Sequence, residues 1–221
     1  MPSMPRLRTL IFAKAPIAGS VKTRLAKTIG ALAATELYRR LISHCVDSVI
    51  AAKLGEAVLC VTPAASSDVF LPDMARERGL RLLPQDGADI GARMAHALRW
   101  SLADGTPTLL IGSDCAALTP GYLRAAAQAL TPSVDIVLGP AEDGGYFLIG
   151  ARERCPDAFT DIAWSTPLVL EQTRARLHNA NLRWHELAPI WDVDEAGDLQ
   201  RLREVPAFRG WQLSAASETQ N

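Results

Sequence analysis

The 221-residue sequence predicts a single α/β domain of three layers (α/β/α), in which helices cover both faces of a mostly parallel, mixed sheet. Two observations lead to this prediction. Short runs rich in aliphatic and β-branched residues alternate with longer amphipathic stretches, which is the pattern of repeated β-α-β units. The apolar residues are spread evenly, and no repeat or low-complexity linker divides the chain, so we expect one domain over 1–221.

Seven apolar runs are predicted to form the strands. The first five are separated by helix-like stretches, as in a largely parallel sheet with helices on both faces. After residue 139 the spacing changes, and the last two runs are expected to add strands of mixed direction. The predicted strands are 8–13, 57–61, 81–84, 108–112, 135–139, 146–150 and 182–187.

Six amphipathic stretches are predicted to form the helices. One begins at Thr119 and Pro120, which are typical of an N-cap followed by proline at the first helical position. The predicted helices are 23–53, 66–78, 90–103, 120–130, 166–178 and 195–204. The core is therefore expected to span 8–204, with a frayed polar tail at 214–221. Ligands of such sheets lie beyond the carboxyl ends of the strands.

Charge and composition exclude several classes of function. The net charge of -1 provides no field to hold a nucleic-acid backbone, so we expect no nucleic-acid partner. The four cysteines are widely spaced, which favours reduced thiols in a cytoplasmic protein over zinc ligands or disulfides. No apolar run reaches the roughly 20 residues of a membrane span, and we expect no signal peptide and no membrane partner. The absence of a heptad pattern leaves a homo-oligomer open.

The loop after the first predicted strand is the clearest functional signal. It carries Lys14, Lys22 and Arg24 around Gly19, with Thr23 beside Lys22. Cations at a junction between a strand and a helix N-terminus favour a polyphosphate, because loop amides and the helix dipole also attract an anion. The spacing fits neither a P-loop nor a dinucleotide fingerprint. We therefore predict a phosphate site of another kind, with a solvated surface loop as the alternative.

Aspartates in two later segments are predicted to hold a metal ion. Asp114 follows the apolar run 108–112, where one carboxylate and substrate phosphates together suit Mg²⁺ or Mn²⁺. Asp192 and Asp194 alternate in an extended segment, so they point to the same side and either could supply a second ligand. The alternatives are a turn aspartate and a helix cap.

Two further groups of residues are candidates for binding substrate. Glu142 and Asp143 offer oxygens to acceptor hydroxyls, and the next two residues, Gly144 and Gly145, let the backbone approach a ligand closely. A hairpin turn is the alternative for this motif.

The second group follows the third predicted strand. Gln85 has an amide suited to the edge of a nucleotide base, and Arg93 has a guanidinium suited to phosphate, although both could be ordinary surface residues. The histidines and serines show neither metal-ligand spacing nor a nucleophile elbow, which disfavours zinc and serine hydrolases.

Four motifs together resemble the DUF2064 family, a bacterial group of glycosyltransferase-like proteins with the nucleotide-diphospho-sugar transferase (GT-A) fold. The motifs lie at 14–25, 112–115, 139–146 and 164–166, and the resemblance covers about residues 8–204. The chain is similar, more distantly, to phospholactate guanylyltransferase and molybdenum-cofactor guanylyltransferase.

This resemblance implies a nucleotide held over the first strands. Asp114 matches the metal-binding aspartate of the fold, and Asp192 or Asp194 would be the second ligand. Lys22 and Arg24 would then face the phosphates of the donor.

Three functions remain open on the sequence. The leading hypothesis is a Mg²⁺-dependent transferase that passes a glycosyl group from a nucleotide-activated donor to a small-molecule acceptor, with Lys22, Arg24 and Asp114 neutralising charge on the leaving phosphate. The alternative is a nucleotidyltransferase that joins an NMP from an NTP to a phosphorylated acceptor and releases pyrophosphate, because the basic loop suits a triphosphate. The third is a non-catalytic, regulatory nucleotide-binding domain.

Overall fold

The computed structural model describes residues 6–62, 69–154 and 157–211. These residues form seven strands and seven helices, followed by one 3₁₀ turn at Pro206–Phe208. The strands are β1 (Leu7–Ala13), β2 (Gly55–Val61), β3 (Arg81–Pro84), β4 (Thr108–Ile111), β5 (Ile136–Pro140), β6 (Tyr146–Ala151) and β7 (Trp184–Glu186). The helices are α1 (Thr23–Ile29), α2 (Ala31–Ala52), α3 (Phe70–Arg78), α4 (Ile90–Leu102), α5 (Pro120–Ala129), α6 (Val169–Asn179) and α7 (Asp198–Leu202).

One seven-stranded sheet, in the order β3-β2-β1-β4-β6-β5-β7, forms the middle layer. β1 pairs in parallel with both β2 and β4, and β7 pairs in parallel with β5. β6 runs antiparallel to its neighbours β4 and β5, because a short turn joins it directly to β5. The mostly parallel, mixed sheet predicted from the sequence is therefore confirmed, and the carboxyl ends of β1, β3 and β4 lie at one edge.

Helices cover both faces of the sheet, which confirms the three-layer architecture. Successive residues of β1 point to opposite faces, as in any strand. Leu7 and Ile11 pack in one core cluster with α2, α3 and α5, whereas Leu10 and Phe12 pack in another with α4 and α6. A smaller cluster joins α1 and α2 to Val193 and the 3₁₀ turn, and so holds the C-terminal segment against the carboxyl edge of the sheet.

Several predicted elements have different bounds. The prediction of one helix over 23–53 is wrong, because Gly30 has a φ of 82° and separates α1 from α2. The helix predicted at 166–178 begins three residues late, as expected from Pro167, which disfavours a helical residue before it. The helix predicted at 195–204 and the last strand are also shorter than expected.

Some predictions fall outside the described residues. Of the helix predicted at 66–78, residues 66–68 lie outside the described residues, and α3 begins at Phe70. The frayed tail at 214–221 lies wholly outside. That the chain forms a single domain stays a prediction.

The described cysteines are buried free thiols, namely Cys45, Cys60 and Cys115. Burial raises the pKa of the Cys60 thiol to about 12, so this thiol stays protonated at neutral pH. Cys155 lies outside the described residues. Within the described part of the chain, no helix has both the length and the apolar character needed to cross a membrane.

Candidate active site

An open cleft of about 570 Å³ lies at the carboxyl ends of β1, β3 and β4. We call it the basic cleft, because it gathers the cations of the loop between β1 and α1. The residues predicted from the sequence that line it are Lys14, Lys22, Thr23, Arg24, Gln85, Arg93, Asp114 and Asp194. Gly19 has a φ of 81° and forms the exposed turn of the same loop.

Lys22 joins the basic loop to the acidic motifs. Its Nζ lies 3.0 Å from Oδ2 of Asp114 and 3.6 Å from Oδ1 of Asp194. Burial is the largest single influence and opposes both charges. The opposite charges and hydrogen bonds around each group, chiefly those between the two, together outweigh it, so the pKa of Lys22 lies above its usual value and that of Asp114 lies below. Both groups are therefore charged at neutral pH. Arg24 completes the cluster through a 2.9 Å ion pair with Asp194.

The backbone at Lys22 is unusual. Lys22 precedes α1 with φ 47° and ψ 44°, a left-handed conformation that costs a residue other than glycine roughly 1–2 kcal/mol. α1 has seven residues rather than the long helix predicted, so its dipole contributes less to anion binding than the sequence indicated. The side-chain cations are the main attraction for a phosphate here.

Hydrogen bonds from distant parts of the chain hold the two aspartate segments together. The backbone N–H of Val193 donates to the carbonyl oxygen of Asp114 at 3.1 Å. The thiol of Cys115 donates to the carbonyl oxygen of Trp191 at 3.2 Å. These bonds fix the segment that contains Asp192 beside the loop after β4.

Asp192 differs from Asp194 in its surroundings. Burial, then the negative charges of Asp114 and Asp143, raise the pKa of Asp192 to about 6. These three carboxylates line one cavity of about 180 Å³. Asp194 instead has two cations beside it, Arg24 and Lys22. A carboxylate whose ionisation is disfavoured by a neighbouring carboxylate is stabilised by a divalent cation, and Asp192 beside Asp114 fits that description.

The donor set is nevertheless small. Among the described residues, no group of three His, Cys, Asp or Glu side chains lies close enough together to hold a metal ion. Mg²⁺ usually takes one or two carboxylates and completes its shell with waters and substrate phosphates, and two aspartates meet that requirement.

A second cleft of about 510 Å³ is lined by Asp192 and Asp194, the latter shared with the basic cleft. We call it the acidic cleft, because Asp143 lines it together with both of these aspartates. Its other walls are Tyr146 and the segment 164–167, which includes a tryptophan. Among the described residues that line it, one cation is present, Arg24, and Asp194 is its ion-pair partner.

The glycine motif shapes this cleft by close packing. Gly144 has a φ of 88°, and a Cβ placed on it would lie 2.3 Å from the carbonyl oxygen of Pro167. The backbone N–H of Leu170 donates to the carbonyl oxygen of Gly144 at 2.9 Å. Gly145 donates its N–H to Oδ1 of Asp143, also at 2.9 Å, which orients that carboxylate. The turn at 143–145 therefore packs against the segment 164–167, which forms one wall of the acidic cleft.

The remaining predicted residues are placed differently. Glu142 pairs with Arg201 of α7 at 2.7 Å rather than lining either cleft. Gln85 is buried, and its Nε2 donates to the carbonyl oxygen of Cys60 at 2.9 Å, so its amino group is held by the sheet. Arg93 lines the basic cleft, where its Nε donates to the carbonyl oxygen of Gly87 at 3.0 Å.

Tyr38 and Ser113 also line the basic cleft, although the sequence did not predict them as site residues. The hydroxyl of Tyr38 accepts the backbone N–H of Lys14 at 3.0 Å and shares a 3.1 Å hydrogen bond with Oγ of Ser113. This network ties α2 to the loops after β1 and β4. Tyr38 belongs to no motif of the sequence, whereas Ser113 lies within the motif at 112–115.

The fold and the clefts define this protein as one with the nucleotide-diphospho-sugar transferase fold. The chain belongs to DUF2064, a family described as uncharacterised proteins conserved in bacteria, which matches residues 45–166. A solved structure from Desulfovibrio desulfuricans G20, provisionally named a nucleotide-diphospho-sugar transferase, is 30 % identical. It superposes with a TM-score of 0.83 over 95 % of this chain and 93 % of that chain.

More distant solved structures share the fold. CMP-2-keto-3-deoxy-manno-octonic acid synthetase in complex with CTP is 12 % identical, with a TM-score of 0.55 over 90 % of this chain and 97 % of that chain. The inositol-1-phosphate CTP transferase from T. maritima is 11 % identical, with a TM-score of 0.56 over 96 % of this chain and 100 % of that chain. The comparison with curated proteins gave no match.

Proposed function

We propose that the protein is a transferase that moves a glycosyl group from a nucleoside-diphospho sugar to a hydroxyl group of a small acceptor, with Mg²⁺ or Mn²⁺ as cofactor. The observation that carries this proposal is the contrast in charge between the two clefts. The basic cleft presents cations to a diphosphate, whereas the acidic cleft presents Asp143, Asp192 and a tryptophan. Carboxylates accept hydrogen bonds from hydroxyls and repel phosphates, so the acidic cleft suits an uncharged, hydroxyl-bearing acceptor.

On the donor side, the roles follow from position. Lys14, Lys22 and Arg93 line the cleft at the carboxyl ends of the parallel strands, where the diphosphate would lie. Asp114 and Asp192 would hold the divalent cation, which supplies positive charge to the leaving diphosphate when bound. Arg24, which lines both clefts, fixes Asp194 at their boundary.

On the acceptor side, Asp143 is the residue best placed to orient a hydroxyl. Its Oδ1 accepts the N–H of Gly145, which leaves Oδ2 for the substrate. The acceptor oxygen forms the new bond to the anomeric carbon and loses its proton to water, the bond from that carbon to the diphosphate breaks, and the nucleoside diphosphate leaves. The ring of Trp164 provides an apolar surface for the acceptor. This reaction requires no covalent nucleophile.

Nucleotidyl transfer is the second candidate function. Neither Lys14 nor Arg93 forms an ion pair with another described residue, so both positive charges are available to a third phosphate. The relatives of known name include proteins that use CTP. In this reaction a phosphorylated acceptor would attack the α-phosphate of an NTP, but that acceptor would have to enter the acidic cleft.

The two candidates release different products. The purified protein is incubated with Mg²⁺ and UDP-glucose, GDP-mannose, CTP or GTP, together with either hydroxyl-bearing or phosphorylated acceptors, and nucleoside diphosphate and pyrophosphate are measured separately. We expect nucleoside diphosphate from a sugar nucleotide. Pyrophosphate from an NTP would select the second candidate. Nucleotide binding without either product, and unchanged in Asp114→Ala, would leave a non-catalytic nucleotide-binding domain.

A further inference from the structure

Lys22 uses an oxygen that the proposed metal site needs. Its ammonium donates to Oδ2 of Asp114 at 3.0 Å and lies 3.6 Å from Asp194. The Lys22 side chain is 5 % exposed, whereas that of Asp114 is 37 % exposed. The ammonium is thus held mainly by carboxylates, while Asp114 keeps part of its surface open to the cleft.

A divalent cation and this ammonium compete for Asp114. Mg²⁺ and Mn²⁺ bind carboxylate oxygens directly, and a buried positive charge on the same carboxylate repels them. Asp192 shares a small cavity with Asp114 and is therefore placed to be the second ligand. Asp194 cannot readily replace Asp114, because Arg24 holds it at 2.9 Å.

We infer that Lys22 is a switch that couples donor binding to metal binding. Paired with Asp114, Lys22 weakens the affinity of the site for the metal; when the diphosphate of a donor enters the basic cleft, Lys22 moves from Asp114 to the phosphate and releases the carboxylate. This inference rests on the proposed function and concerns the order in which donor and metal bind. Lys22 lies at the start of α1 with a left-handed backbone, φ 47°, and its side chain lines the basic cleft that the diphosphate would enter.

The first test measures Mn²⁺ binding in the absence of nucleotide, by electron paramagnetic resonance of free Mn²⁺. Lys22→Gln is expected to bind Mn²⁺ roughly tenfold more tightly than the wild type, because a hydrogen bond between two charged groups no longer competes. Arg93→Gln removes one positive charge from the same cleft while Asp114 and Asp194 keep their ion-pair partners, and its change should stay below about threefold. Equal effects of the two variants, or weaker Mn²⁺ binding by Lys22→Gln, would overturn the inference.

The second test uses the wild-type protein, so it does not depend on the folding of a variant. Acetic anhydride labels lysines, and mass spectrometry gives the rate at each site. Mn²⁺ alone should accelerate the acetylation of Lys22, because the ion displaces its ammonium from Asp114, while the exposed Lys27 of α1 keeps its rate. An unchanged or slower rate at Lys22 in the presence of bound Mn²⁺ would contradict the switch.

Failure of the switch can be told apart from failure of the proposed function. If Mn²⁺ binds and supports transfer but Lys22→Gln behaves like Arg93→Gln, the inference alone fails. If Mn²⁺ binds neither with nor without UDP, the inference fails together with the metal-dependent function. If both Lys22 tests succeed and no sugar is transferred, the switch stands and the proposed reaction is wrong.

Discussion

The basic and the acidic clefts meet at one edge of the sheet but are built in different ways. The basic cleft lies on loops that directly follow parallel strands, and its cations Lys14 and Arg93 stand close to strand ends or at a helix start. The acidic cleft lies on the turn before the antiparallel strand β6 and on the segment 164–167, which lies against it. The parallel part of the sheet thus supplies the anion site, and the mixed part supplies the site for a hydroxyl compound.

Asp114 lines the basic cleft and also the small cavity that it shares with Asp143 and Asp192, so its loss should have the largest effect. We expect Asp114→Asn to lower turnover about 100-fold or more, because the metal loses a charged ligand and Lys22 loses its ion-pair partner. Steady-state kinetics with saturating donor measures this. Asp135→Asn is the control, since Asp135 pairs with Arg183 in a different ion pair. Turnover in Asp114→Asn within a few-fold of the control would remove Asp114 from the reaction.

Substitution of Gly144 tests the wall of the acidic cleft. Gly144→Ala should lower the free energy of unfolding by about 3 kcal/mol, because the new Cβ meets the carbonyl oxygen of Pro167 in addition to the strain of a positive φ. Gly105→Ala has a similar φ, 77°, but nothing within 4 Å of its Cβ, and should cost about 1 kcal/mol. Urea denaturation measures both variants. Equal losses would mean that the contact with Pro167 does not matter.

Arg93→Gln should affect the basic cleft alone. The dissociation constant of the donor is expected to rise about tenfold, the cost of losing one charged hydrogen bond to a phosphate, while the KM of the acceptor stays constant. Isothermal calorimetry with a nucleoside diphosphate gives the first value. Arg99→Gln, also on α4 but lining a different cavity, is the matched control. A change that appears only in the acceptor KM would mean that Arg93 acts on the acceptor rather than on the donor.

Asp143→Asn should have the smallest of these effects, and it should act on the acidic cleft. Asparagine keeps an oxygen for the N–H of Gly145, so the turn is preserved while the charge is lost. We expect the KM of the acceptor substrate to rise about fivefold, because a hydrogen bond to a carboxylate is about twice as strong as one to a neutral amide. The affinity for the donor should stay unchanged. Asp161→Asn, an exposed aspartate that pairs with Arg176, is the control. An altered donor affinity would contradict the division into two clefts.

The basic cleft was easier to predict from the sequence than the acidic one. Lys22 and Asp114 are 92 positions apart, but each directly follows a strand-like run or its loop, and loops after parallel strands converge. The sequence did not reveal the break at Gly30, because the amphipathic pattern continues across it. Tyr38 and Ser113 were missed because their hydrogen bond depends on how α2 packs on the sheet.

The acidic cleft depends on contacts that no local pattern encodes. Glu142 and Asp143 are neighbours in sequence, yet the first pairs with Arg201 of α7 while the second lines the cleft. The choice between Asp192 and Asp194 depends on Arg24, which reaches Asp194 from 170 positions away. Alternation along an extended segment places both aspartates on one side, but only the packed structure gives them different partners.

A crystal structure with Mn²⁺ and a nucleoside diphosphate tests the central claim most directly, because the anomalous signal of manganese locates the ion independently of the nucleotide. We predict that the ion lies on Asp114 and Asp192 and that the diphosphate lies in the basic cleft, within hydrogen-bond distance of Lys22 and Arg93. A diphosphate bound in the acidic cleft beside Asp143, or an ion remote from Asp114, would contradict the account.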